Sequence, residues 1–126
     1  MSITSFMNRI AVQTVVYWEY EGPSGYGGVK LSPPVEIKGR WEDVKEIVKN
    51  NQGEEILSQA RVWLLKDVKE NGYMWLGEMD DSAFDKDVKN VENAMRIIAF
   101  GKVPGVGSTN EFVRKAHLNM GAASTV

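Results

Sequence analysis

Much of this chain alternates between hydrophobic and polar residues with a period of two. Val35, Ile37 and Gly39 interleave with Glu36, Lys38 and Arg40, and Trp41 closes the run. That alternation predicts a strand with one buried and one wet face, begun after Pro33 and Pro34. Ile10–Tyr20 is dense in Val12, Thr14, Val15, Val16, Tyr17 and Trp18. β-branched and aromatic residues lose rotamer freedom in helices and pack well on a pleated surface, so a first strand is expected there. Ile56–Leu65 repeats the pattern, with Ala60, Val62 and Leu64 on one face. Tyr73–Met79, with Trp75 and Leu76, predicts a short strand. Val91–Val103, with Ala94, Ile97, Ile98, Ala99 and Phe100, predicts a longer one, and Phe112–Leu118 makes a last short element.

Turn chemistry separates these runs. Gly22–Gly28 holds four glycines and a proline, too many for inexpensive regular structure, and reads as a hairpin tip or as a loop that orders against a partner. Lys66–Gly72 ends in Asn71-Gly72, a strong turn signal. Asp80–Asn90 reads as a turn or a single helical turn, and Pro104–Ser108 breaks the strand before it. Glu42–Asn50 carries two patterns. Val44, Ile47 and Val48 fit a helical face, but the segment is short for a stable helix. A hairpin centred on Asn51–Gly53 accommodates it better. Residues 1–8 read as an arm and 119–126 as a fraying tail. The sum is about six or seven short strands. That predicts an all-β fold, a small antiparallel β-barrel or sandwich with long loops and at most one or two short helices. One domain spans 1–126.

Composition narrows the function. Hydrophobic residues make up 43% of the 126 and charged residues 25%, a balance that packs a core. The net charge of −2, with both signs interspersed, argues against a broad basic face for duplex nucleic acid. The chain has no cysteine, which removes disulfides and thiolate metal sites and suits a reducing cytoplasm. Ile10–Trp18 is far shorter than the roughly 20 apolar residues that span a bilayer. No small-residue cleavage site follows it.

Candidate chemistry is sparse. His117, the only histidine, would have to serve as the base of any Ser-His-Asp or Cys-His site, and reads better as a surface or interface residue. Asp80, Asp81, Asp85 and Asp87 cluster, but an EF-hand alignment from Asp81 puts Ala83 and Lys86 where a ligand and the glycine are needed. A solvated acidic loop is the favoured reading. Gly101-Lys102 is followed by Val103 and Pro104, not by the Ser/Thr and helix of a P-loop. Trp18, Trp41, Trp63 and Trp75 all fall on predicted strands. Such residues can stack on bases or sugars, yet core or interface anchoring is the commoner role. No residue is assigned a catalytic, cofactor-binding or metal-ligating role, and no cofactor is expected.

The serial order of segments carries a resemblance. After the aromatic first strand and a loop containing Tyr26-Gly27 come Pro34-Val-Glu-Ile and Gly39-Arg-Trp-Glu-Asp43. Gly53-Glu-Glu-Ile-Leu-Ser-Gln-Ala-Arg-Val-Trp63 follows, then Asp67-Val, Gly72-Tyr-Met-Trp-Leu-Gly77 and Val113-Arg-Lys-Ala-His117. Together, from about Thr4 to Leu118, these resemble the head-closure, or head–tail connector, proteins of tailed bacteriophages. The resemblance implies a non-enzymatic virion protein, assembled in the host bacterial cytoplasm into a hexameric or dodecameric ring. Its partners would be further copies of itself, a portal or adaptor protein, and a tail terminator or tail tube protein. Packaged DNA would pass through the channel without sequence-specific binding, and no membrane would be involved. A tail-terminator, tail-completion or adaptor protein of the same neck is the alternative. A carbohydrate- or oligonucleotide-binding barrel is a further one.

Overall fold

The computed structural model describes residues 13–25, 28–50, 52–104 and 112–120. The strands are β1 (Gln13–Trp18), β2 (Tyr20–Pro23), β3 (Val29–Leu31), β4 (Val35–Glu42), β5 (Glu46–Lys49), β6 (Glu55–Ser58), β7 (Ala60–Leu64), β8 (Tyr73–Leu76), β9 (Met95–Pro104) and β10 (Phe112–Asn119). Six of them close an antiparallel barrel in the order β1-β4-β7-β10-β9-β8, with β8 pairing back onto β1. Two ribbons, β2–β3 and β5–β6, stand outside it. The expected all-β barrel is therefore present. The helical content among the described residues is one 3-10 turn, Val88–Asn90, capped by the Asp87 carboxylate on the Lys89 amide.

Alternation decides what fills the barrel. Ala60, Val62 and Leu64 on β7 are fully buried, while Arg61 and Trp63 between them face outward. Val15 and Tyr17 of β1, Ile37 of β4, Met74 of β8, Ile97 of β9 and Ala116 and Leu118 of β10 complete the interior cluster. Each large side chain removed from water there contributes about 1.5–3 kcal/mol before entropy is counted. At Gly39 the wall has no room for a side chain, because a Cβ would sit 2.9 Å from Val62 Cγ1 and 3.0 Å from the Trp63 carbonyl oxygen.

The β7–β8 connection packs against the interior cluster through buried Val68. The Lys69 amide donates to the Tyr17 hydroxyl at 2.9 Å, and Asp67 receives Arg114 at 2.6 Å and Lys102 at 3.2 Å. The hydrogen bond from Arg114, assisted by Lys102, holds the Asp67 carboxyl below its ordinary pKa.

Several expected boundaries move. The first run is two strands, broken at Glu19, and residues 10–12 lie outside the described residues. Gly22–Pro23 belong to β2, so the glycine-rich loop is a ribbon whose tip begins at Ser24; Tyr26 and Gly27 lie outside the described residues. The ambiguous segment forms strand β5, with β6 returning across the turn at 50–53, as the hairpin reading expects; Asn51 itself is not described. The Asn50 side-chain oxygen organises this turn by accepting from the amides of Gln52 and Glu54. The run from Ile56 to Leu65 divides into β6 and β7 at Gln59, whose amide donates to Leu118 O instead. The run from Val91 starts pairing only at Met95, because Val91 and Ala94 pack against the outside of the barrel. Asn119, expected in the tail, ends β10. The arm at 1–8, the segment 105–108 and the tail beyond Met120 lie outside the described residues.

Candidate interaction surfaces

Two parts of the barrel's outer wall carry structure beyond simple solvation. The first lies over β1 and β8. Val16 and Trp18 on β1, and Tyr73 and Trp75 on β8, point away from the interior and are nonetheless buried. The β8–β9 connection covers them with Phe84, Val88, Val91 and Ala94, and β3 adds Val29 and Leu31. Phe84 packs on the rings of Trp18 and Trp75 at centroid distances of 6.1 and 6.2 Å. The Trp18 indole N–H is satisfied by Lys86 O at 3.0 Å. This covering is incomplete. A groove of about 960 Å³ remains, floored by Trp18, Leu31, Tyr73, Val88 and Val91 and rimmed by Lys86, Asp87, Lys89 and Glu92. Among the described residues no nucleophile–base pair converges on it. An apolar floor with a mixed charged rim suits binding by shape and charge.

The second surface is the β5–β6 ribbon, which sits over β7 and β10. Its register pairs Ile47 with Leu57 and Val48 with Ile56. Val48 and Ile56 are half-buried, whereas Ile47 and Leu57 are 64% and 46% exposed. Strand alternation puts Lys49 and Glu55 on the same outward face as Ile47 and Leu57. These two large apolar side chains are paired directly across the ribbon and stand in water.

A polar cluster lies beneath the ribbon. Glu42 accepts from Arg61 Nε at 2.7 Å and from Trp63 Nε1 at 2.8 Å, with Arg40 at 3.4 Å. The hydrogen bonds from Trp63 and Arg61 lower its pKa to about 2. Lys115 Nζ sits 5.1 Å from the Trp63 ring centroid and the Arg61 guanidinium 5.8 Å, both in cation–π range. Glu46 reaches in from β5, with Oε1 3.3 Å from His117 Nδ1 and 3.7 Å from Arg61 Nη1. Both Glu46 Oε1 and His117 Nδ1 are buried without a hydrogen-bond partner among the described residues. Burial first, and the charge of Lys115 next, lower the His117 pKa against the opposing pull of Glu46.

These placements settle several sequence readings. His117 is only 8% exposed, tucked under the ribbon against a carboxylate; it is not on the surface of the folded chain. Asp80, Asp81, Asp85 and Asp87 are exposed, and three of them bond their own loop: Asp81 accepts from the Ala83 amide, Asp85 from Asp87 and Asp87 from Lys89. Among the described residues no three His, Cys, Asp or Glu gather closely enough to hold a metal ion. The four tryptophans separate into two kinds. Trp18 and Trp75 anchor the outer-wall cluster, while Trp41 and Trp63 are half-buried and hydrogen-bonded to Asp43 and Glu42. The groove and the exposed Ile47–Leu57 pair were missed by sequence reasoning. A signal for the pair was present, since Ile47 and Leu57 lie on opposite sides of the Asn50–Gly53 turn.

Among the described residues no helix is long and apolar enough to cross a membrane. No protein-family model matches the chain, and no curated protein matches it either.

Proposed function

We propose that this chain is a structural subunit of the tailed-bacteriophage neck, a ring-forming head-closure protein that joins the DNA-filled capsid to the tail and performs no catalysis. The observation that carries the reading is a closed barrel bearing two unlike features, an outer groove and a ribbon with an exposed apolar pair, in a chain whose segment order resembles head-closure proteins. Unlike surfaces on one subunit make head-to-tail contacts, and such contacts close into rings when the rotation between copies permits. The capsid-side neighbour would be the portal or an adaptor, and the tail-side neighbour a tail terminator or tail tube protein. The near-neutral, slightly acidic balance is compatible with a channel that lets DNA pass without holding it. The carbohydrate- or oligonucleotide-binding alternative has less support. Trp18 and Trp75 are buried, and Trp63 already faces Arg61 and Lys115.

Deleting the gene from its phage and examining the lysate by electron microscopy tests the proposal. The expected result is free tails beside heads that have lost DNA, restored to infectious particles by the gene in trans. Tails of abnormal length with sound heads would move the subunit to the tail-terminator layer. Normal tailed particles from the deletion would overturn the neck assignment altogether.

A further inference from the structure

We infer that the β5–β6 ribbon is an acid-released flap: it lies on β7 and β10 while His117 is neutral, and protonation of His117 lifts β5 from the barrel. This holds whether or not the chain works in a phage neck.

The charges beneath the ribbon are matched only while His117 carries none. Glu46 of β5 approaches its Nδ1 at 3.3 Å, Arg61 of β7 is its cross-strand neighbour, and Lys115 leaves β10 on the same side two residues earlier. The neighbour on β9 is Ala99, and Glu55 of β6 is exposed, so neither of those strands adds a charge there. Around the imidazole, Arg61 and Lys115 already balance Glu42 and Glu46, and half-exposed Arg40 adds a further cation. Glu46 Oε1 is divided between His117 and Arg61, the latter 3.7 Å away. A protonated His117, only 8% exposed, is therefore one more cation with no carboxylate of its own and little water. Burying an unmatched charge is costly. Burial first, and Lys115 next, accordingly lower the His117 pKa although Glu46 pulls the other way.

The ribbon can respond as a unit. It is a separate two-stranded sheet outside the hydrogen-bonded order of the barrel. The end of β6 is tied to the end of β10, where the Gln59 amide donates to Leu118 O at 2.7 Å and Asn119 Nδ2 to Leu57 O at 2.9 Å. Among the described residues, β5 makes polar contacts with the barrel through Glu46 alone. The far end of the ribbon is not packed down either. A hollow of about 430 Å³ separates Asn50, Gln52 and Ile56 from Val68, Arg96 and Phe100. Few buried apolar contacts and an open underside mark a unit of low local stability. Charging His117 thus frees the β5 side first, with the tied base of β6 as the hinge, and leaves the barrel's own hydrogen bonds in place.

Hydrogen exchange in the untagged full-length chain, followed segment by segment and corrected for the intrinsic pH dependence of exchange, tests the flap. Opening returns His117 to water and to its ordinary value of 6.5. The open fraction should then grow by up to about tenfold between about pH 7.5 and about pH 5.5. The rise should be confined to β5 and β6, with β1 and β4 unchanged. His117→Gln, neutral throughout, should abolish it. Lys115→Gln removes one neighbouring cation without touching the ribbon and should shift the rise to lower pH, which keeps the test sound if His117→Gln folds poorly. Equal exchange across that pH range, stronger protection of the ribbon at the lower pH, a rise shared by the barrel, or a rise that persists in His117→Gln would each overturn the flap.

Discussion

Replacing Gly72 with alanine tests how closely β8 is seated against β1. A Cβ on Gly72 would meet the Trp18 carbonyl oxygen at 2.5 Å, with Lys69 O and Tyr17 Cε1 each at 3.3 Å. Ordinary contact begins near 3.4 Å, so the Trp18 carbonyl and the new methyl must separate by about 0.9 Å. The obstructing atom is backbone and cannot rotate away. Gly72 cannot retreat freely either, since its own carbonyl accepts from the Ile97 amide at 2.8 Å and the Asn71 amide donates to Ile97 O at 2.8 Å. Overpacking costs about 1–3 kcal/mol, and loosening one of these backbone bonds adds about 1 kcal/mol. The expected destabilisation is about 2–4 kcal/mol, a large share of the roughly 5–15 kcal/mol that holds a typical domain. Urea unfolding followed by tryptophan fluorescence and far-ultraviolet circular dichroism measures it. With a slope of about 2 kcal/mol/M the midpoint should fall by about 1–2 M at unchanged slope. Gly101→Ala is the control: a Cβ there meets nothing within 4 Å, so its midpoint should hold or rise slightly as alanine restricts the unfolded chain. A Gly72→Ala midpoint indistinguishable from Gly101→Ala would refute the steric reasoning.

Other outcomes follow from the same geometry. The His117 pKa is lowered in the folded state, first by burial, so its contribution to stability is complete above the ordinary pKa near 6.5 and is lost as pH falls through the lower folded value; His117→Gln should flatten that part of the stability–pH curve, and an unchanged curve would exclude the assignment. Glu42, held at about 2 by Trp63 and Arg61, contributes fully above about 4.5 and loses that contribution as pH falls through 2. Glu42→Gln should therefore lower the urea midpoint at pH 7, with the gap to wild type closing near pH 2. Trp18→Phe removes the hydrogen bond to Lys86 O at a cost of about 1 kcal/mol and should open the segment at 80–94 to limited proteolysis before the barrel unfolds; simultaneous cleavage throughout the chain would count against a separable outer cover.

Local pattern was enough to read this protein as a small antiparallel barrel or sandwich. Alternation within β4 and β7 marks Ile37, Val62 and Leu64 as interior because a strand's side chains alternate whatever the strand pairs with. Asn50–Gly53 and Asn71-Gly72 placed their turns for a similarly local reason: both Asn71 and Gly53 adopt positive φ, which those residue types tolerate. Closure of the barrel was not legible, since β8 pairs with β1 across more than fifty residues, Val15 opposite Leu76. Nor could alternation explain β1, where Val15, Val16, Tyr17 and Trp18 are all buried. Its second face is covered by Val91 and by Phe84 and Val88, the last two in a segment that reads as a polar loop. His117 is the clearest case of the difference. Beside Arg114 and Lys115 in sequence it reads as a surface or interface residue, yet the β5–β6 ribbon folds over β10 and removes it from water within the chain itself. The ribbon's exposed pair and the groove were likewise decided by tertiary structure, because each exists only where segments distant in the chain meet or fail to cover one another. Periodicity reports which way a side chain leaves its own strand; what stands in front of it depends on the rest of the chain.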